Sequence, residues 1–205
     1  MLNRQIRFAT LISAMILLAG CTTAKVSLED ISKVDKTTEV IIVGRIEMMP
    51  KITKEELSLK MVFGGDELYK NFMIRTGTDI GEMTDYTTDA DNMAVVKTEE
   101  DFYISHNRDE PFKLFGGWFY TQLHGGSNRT RSTVFFHIKD GMQIEIPKNA
   151  NVVYLGNIKF KRDEFFNLKD IDLSQDGFDA AQKRFQKKFN TKMTMVKAKV
   201  TPVKK

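Results

Sequence analysis

Covalent chemistry has one obvious candidate in this chain of 205 residues: Cys21, its sole cysteine. The three histidines, His106, His124 and His137, stand 18 and 13 residues apart, without the HxH or HxxxH spacing that places two ligands on one element. A metal site would need them to converge from distant parts of the fold. Glu82, Asp85, Asp89, Asp91 and Asn92 offer hard oxygen donors of the kind Ca²⁺ takes. A calcium loop of the EF type needs acids at alternate positions, a central Gly and a closing Glu. Only Asp89 and Asp91 alternate, so the reading here is a solvated loop. No G-x-S-x-G occurs, and Ser58 leads into Leu59-Lys60-Met61 rather than an S-x-x-K nucleophile motif. Gly64-Gly65, Gly116-Gly117 and Gly125-Gly126 lack the Lys-Ser/Thr of a phosphate loop and read as turns or bends. No catalytic residue, metal ligand or cofactor site is assigned on these patterns.

Cys21 gains meaning from what precedes it. Arg4 and Arg7 are the charges of the first seven residues, and Phe8 to Gly20 is an uncharged run of 13 residues. A positive start followed by a short apolar run is the layout of an export signal. As a helix the run would rise only about 20 Å, against about 30 Å of membrane hydrocarbon, so it is too short to span. Ala19 and Gly20 suit a peptidase that needs a slim, extended substrate.

Leu18-Ala19-Gly20-Cys21 resembles the lipobox of bacterial lipoproteins. The resemblance implies diacylglycerol on the Cys21 sulfur, cleavage between Gly20 and Cys21, and usually N-acylation of the new terminus. Residue 22 is Thr rather than Asp, which in the sorting scheme of that group is compatible with the outer membrane, facing the periplasm or the cell surface. Each buried CH₂ contributes about 0.8 kcal/mol, so two or three chains hold a domain firmly where one does not.

Removal of residues 1–20 leaves 29 basic against 27 acidic side chains, a net charge of about +2. That balance gives nucleic-acid binding no support. The remaining 185 or so residues suffice for one domain with a real core, and fifteen Phe supply bulk for it. With Cys21 modified no disulfide is possible, so packing alone must hold the fold.

Along the chain, residues 21–37 are polar and read as a lipidated terminus and tether. Val40-Ile41-Ile42-Val43 is a dense β-branched strand, ended by Pro50. Leu57, Leu59 and Met61 alternate with polar neighbours, and Gly64-Gly65-Asp66 turns the chain towards Leu68–Arg75. A long loop at 76–92 follows. Met93–Lys97 and Asp101–Ser105 read as strands, with a polar turn at His106–Glu110. Phe112–Leu123 is an aromatic strand whose Gly116-Gly117 predicts a bulge or tight bend. Val134–Ile138 and Met142–Ile146 flank Asp140-Gly141, a two-residue hairpin signal. Val152–Phe160 starts apolar on both faces and then alternates, as a central strand does on its way to an edge. Phe178, Ala181, Phe185 and Phe189 form one stripe of an amphipathic helix near 176–189, with Ser174 or Asp176 as its cap. A last strand spans Met193–Val200, and 201–205 is a basic tail.

Nine or ten short strands with one late helix predict a mainly β domain over 38–200, an antiparallel β-sandwich. Gly44-Arg45-Ile46, Ile144–Ala150, Val153–Ile158 and the Phe-x-x-x-Phe helix together resemble a loose group of uncharacterised bacterial lipoproteins. Their domains are similar to the transthyretin (prealbumin) type of sandwich. That resemblance brings no catalytic or binding residues. Phe115, Trp118, Phe119 and Tyr120 near Arg129 and Arg131 are read as core before ligand surface. The expectation is a non-enzymatic envelope lipoprotein, membrane-bound through Cys21, with an envelope protein or polymer as partner or a structural role. The alternative is a lipid-anchored hydrolase or metal-dependent enzyme built from dispersed residues such as His106 and the 82–91 acids.

Overall fold

Glu39–Met49 shows why this chain forms sheets: β-branched side chains at 40–43 fill both faces at once, and all four are buried. The computed structural model describes residues 25–51, 71–77, 93–125, 128–164 and 166–201. Its strands are β1 (Lys25–Val26), β2 (Glu39–Met49), β3 (Asn71–Gly77), β4 (Met93–Lys97), β5 (Asp101–Asn107), β6 (Phe112–Gly125), β7 (Asn128–Glu145), β8 (Val152–Arg162), β9 (Leu168–Ser174), β10 (Val196–Lys197) and β11 (Lys199–Thr201). One helix, α1 (Phe178–Phe189), precedes the last two. The protein is mainly β.

The strands make two sheets. One runs β1-β4-β3-β6-β7-β11; the other runs β10-β8-β2-β5, with β9 also on β8. Their facing sides share a core in which Phe72 of the first sheet meets Phe160 of the second at 5.3 Å between ring centroids. Val40, Ile42, Ile46 and Met48 point into that core. Ile41 and Val43 point the other way, onto Ala181 and Phe185 of α1. The expected double-faced burial of β8 holds: Val153 and Leu155 enter the inter-sheet core, while Val152 and Tyr154 meet the helix side.

Six of the strand pairings among the described residues are antiparallel, as expected, and three are not. β2 and β8, the two best strands in the sequence, pair parallel, as do β10 with β8 and β1 with β4. Parallel neighbours need a long crossover, so local pattern does not reveal them. Asp140-Gly141 is not a hairpin either. β7 runs through it as one strand, and its pairing with β6 jumps from Gly116↔His137 to Leu114↔Met142. The extra β7 residues bulge out, with Gly141 at φ +68 under the ring of Phe115. The predicted irregularity at Gly116 is on the other side of the same feature, with φ 101.

The expected tether is docked from Lys25 onward. β1 extends the first sheet, then Leu28 N donates to Tyr103 O of the second at 2.7 Å, and Val34 is buried against the helix layer. The last strand is likewise two. β10 lies on the second sheet and β11 on the first, with Ala198 buried between them. A strap from each end of the described chain therefore joins the two sheets, one on either flank. Edge strands left open recruit other chains, and these straps cover edges of both sheets.

The helix cap is also corrected. Gly177 occupies the N-cap without a side-chain bond, while Ser174 Oγ donates to Asp176 Oδ2 at 2.8 Å. The two candidate caps satisfy each other instead. Leu57–Val62 and the 78–92 part of the acidic loop lie outside the described residues.

Candidate functional site

β2 and β8 leave the shelter of α1 beyond Val43 and Tyr154, and there the outward side of the second sheet turns polar. Register sets the rows: Arg45 lies between Asp101 and Asn157, Glu47 beside Lys159, and Met49 beside Lys161. β9 continues them with Ser174, Asp172 and Asp170. Cross-strand partners share a face, so each row sets opposite charges side by side. Lys161 Nζ stands 3.3 Å from Asp170 Oδ2.

Asp101 is the centre of this surface. Its carboxylate is 8% exposed and takes both Nε and Nη2 of Arg184 from the helix, the latter at 3.0 Å. Arg45 Nη1 stands 3.9 Å from the same carboxylate. Arg45 Nε lies 3.1 Å from Glu47 Oε1, an ion pair without hydrogen-bond alignment. Glu99, in a left-handed turn at φ 65, reaches Lys51 Nζ at 3.1 Å and Arg45 Nη2 at 4.0 Å. Tyr103 and Tyr154 close the helix side. Burial, and secondly the charge of Asp101, push the Tyr103 hydroxyl up to about 12. Tyr154 is raised by the same causes in the same order, and its hydroxyl donates to Asn157 Oδ1 at 3.2 Å. Both phenols stay protonated near neutrality and serve as hydrogen-bonding groups, not bases.

Chemically this is a charge-compensated surface. Guanidinium, carboxylate and amide groups can recognise a polar partner by paired hydrogen bonds. Among the described residues no three His, Cys, Asp or Glu side chains cluster to hold a metal.

The residues singled out in the sequence fall elsewhere. His106 lies on β5 rather than in the turn; its Nε2 is 3.0 Å from Glu110 O and its ring is edge-on to Phe112. His124 and His137 lie on β6 and β7, and their side chains are outside the described residues, as are Glu82, Asp85, Asp89, Asp91, Asn92, Gly20 and Cys21. Phe115 and Trp118 are buried, as the core reading has it. Arg45, Asp101 and Arg184 belong to no sequence motif. The usable local signal is Gly44-Arg45, which breaks an apolar strand where one face becomes polar.

Comparison with known proteins gives no match: no family model, no curated protein and no solved structure corresponds to the chain.

Proposed function

We propose that the protein is a non-enzymatic envelope lipoprotein, held at a bilayer through lipid on Cys21. The observation that carries the reading is Cys21 itself, placed behind Arg4, Arg7 and a 13-residue apolar run. The docked N-terminal strap supports it, since β1 begins four residues after Cys21 and puts the folded domain close to any anchor. We read the facing sheets as a sandwich of the transthyretin type, with α1 as an amphipathic helix laid on one outer face. The partner is an envelope protein or polymer, met through the paired charges around Arg45 and Asp101, or the domain is structural. On the outer-membrane reading, Thr22 leaves the protein free of the retention signal.

The test is metabolic labelling with a palmitate analogue in cells expressing the wild type and Cys21→Ser. Label on the wild type alone, with residues 1–20 removed, supports the reading. An unlabelled wild type that retains residues 1–20 overturns it. Cross-linking in intact cells, read by mass spectrometry, then asks whether Arg45→Glu releases a recurring partner.

A further inference from the structure

Charge is unevenly distributed over this domain, and the excess lies on the layer that holds the N-terminal strap and the helix. Residues 25–37 and 176–197 carry nine Lys or Arg against five Asp or Glu, a net of +4, while the chain from Cys21 onward totals only about +2. The other described residues, about three times as many, carry fifteen Lys or Arg against thirteen Asp or Glu, a net of only +2. Ala181 and Phe185 of α1 face the sheet, so Lys183 and Lys187 stand on its solvent side; Lys188, Lys192 and Lys197 are exposed in the same layer. Arg184 is engaged by Asp101, and Lys188 Nζ lies 3.8 Å from Glu29 Oε2 of the strap, so helix and strap are neighbours. The acids of the layer, Glu29, Asp30, Asp35, Asp176 and Asp179, are outnumbered.

Reach supplies the second argument. Four residues of extended chain span at most about 14 Å, so lipid on Cys21 holds Lys25 within that distance of a headgroup region. From Lys25 the strap runs to the helix layer, where Leu28, Ile31 and Val34 pack with Phe185 and Phe189.

We propose that the Lys183–Lys187 face of α1 docks on an anionic phospholipid surface, with the strap setting the distance and the helix setting the orientation. The proposal rests on the lipoprotein reading. Each Lys brought to an anionic leaflet strengthens contact about five-fold, and the gain is lost at high salt.

The experiment reconstitutes the full lipidated chain in vesicles of phosphatidylcholine, or of phosphatidylcholine and phosphatidylglycerol in equal parts. Surface lysines are acetylated and each site is quantified by mass spectrometry, together with the mass of the Cys21 peptide. The expected result is about five-fold less labelling of Lys183 and Lys187 on the anionic vesicles, reversed by salt. A Lys183→Gln, Lys187→Gln, Lys192→Gln variant should label Lys188 and Lys197 equally on both vesicles. Equal wild-type labelling on both, with lipid present on Cys21, overturns the docking and leaves the anchor standing. An unmodified Cys21 overturns both.

Discussion

The ring of Phe102 occupies the space that a side chain at position 44 would need: its Cζ stands 2.5 Å from where a Cβ on Gly44 would sit. The two are cross-strand partners of β5 and β2, and Phe102 is buried in the inter-sheet core. Gly44→Ala should force the ring to move and cost roughly 1–3 kcal/mol, more than the few tenths that a stiffer unfolded chain returns. Urea unfolding measures this. The Gly44→Ala, Phe102→Leu double variant should lose less than the two singles together, because the smaller side chain vacates the space.

Arg108 holds three chain segments at the start of β2. Its Nη1 donates to Lys148 O at 2.8 Å and Ala150 O at 2.7 Å; its Nη2 donates to Lys36 O, Glu39 O and Asn151 Oδ1 at 3.0, 3.1 and 3.2 Å. A planar fork of fixed donors suits this set, and a lysine ammonium cannot span it. Arg108→Lys should therefore destabilise by about 1–2 kcal/mol and Arg108→Ala by roughly 2–4. Hydrogen exchange should quicken first in peptides covering 35–39 and 147–151. Unchanged exchange there would show that the clamp is dispensable.

Alkaline pH probes the helix side of the polar face. The Tyr103 hydroxyl titrates near 12 when folded and near 10 when unfolded, so the unfolded chain gives up its proton first. The stability linked to this proton is whole below pH 10 and drains away as pH climbs from 10 towards 12. Tyr154, raised in the same direction, adds to the loss. Denaturation midpoints across this range should fall less steeply in Tyr103→Phe. Tyrosinate absorbance should show one or more late-titrating phenols in the wild type.

Asp101→Asn separates the two causes of that shift. Burial, the larger, remains, while the negative charge goes and the acceptor facing Tyr103 becomes a neutral amide oxygen. The Tyr103 titration should move down yet stay above its ordinary position. Arg184 and Arg45 lose a shared partner in the same variant, so α1 should exchange its amide hydrogens faster. A Tyr103 titration that does not move would mean that Asp101 has no electrostatic hold on it.

How much of this was legible in the sequence depends on the range of the interaction. β4, β5 and β8 announced themselves through local alternation or β-branched runs, and the stripe Phe178, Ala181, Phe185, Phe189 packs as one face, since such periods concern neighbours in sequence. The β2–β8 pairing joins residues such as Ile41 and Val152, and nothing local marks it. Asp140-Gly141 misled because its residues report only a need for positive φ, which a bulge and a hairpin both meet. The candidate site was harder still. Asp101 and Arg184 are 83 positions apart, and each alone reads as an ordinary solvated charge.

Gln175 gives the sharpest test of how the C-terminal strap is held. The β2–β8 pairing steps from Val43↔Tyr154 to Gly44↔Gly156, so Leu155 is skipped and its carbonyl falls off that ladder. Gln175 Nε2 stands 3.1 Å from Leu155 O, 3.3 Å from Tyr154 O and 2.9 Å from Ala198 O, joining the bulge to the crossing point of the strap. Gln175→Glu keeps the shape and replaces the donor by an anion facing three carbonyl oxygens. Burying such a group without a donor costs roughly 2–4 kcal/mol, whereas Gln175→Ala only deletes the bonds and should cost about 1–2. The strap should then detach before the sheets unfold, so proteases would clip near Ala198 in Gln175→Glu while the core stays intact. Wild-type stability in both the Glu and Ala variants would mean that the carbonyls are satisfied by other donors and that Gln175 is not what fastens the strap.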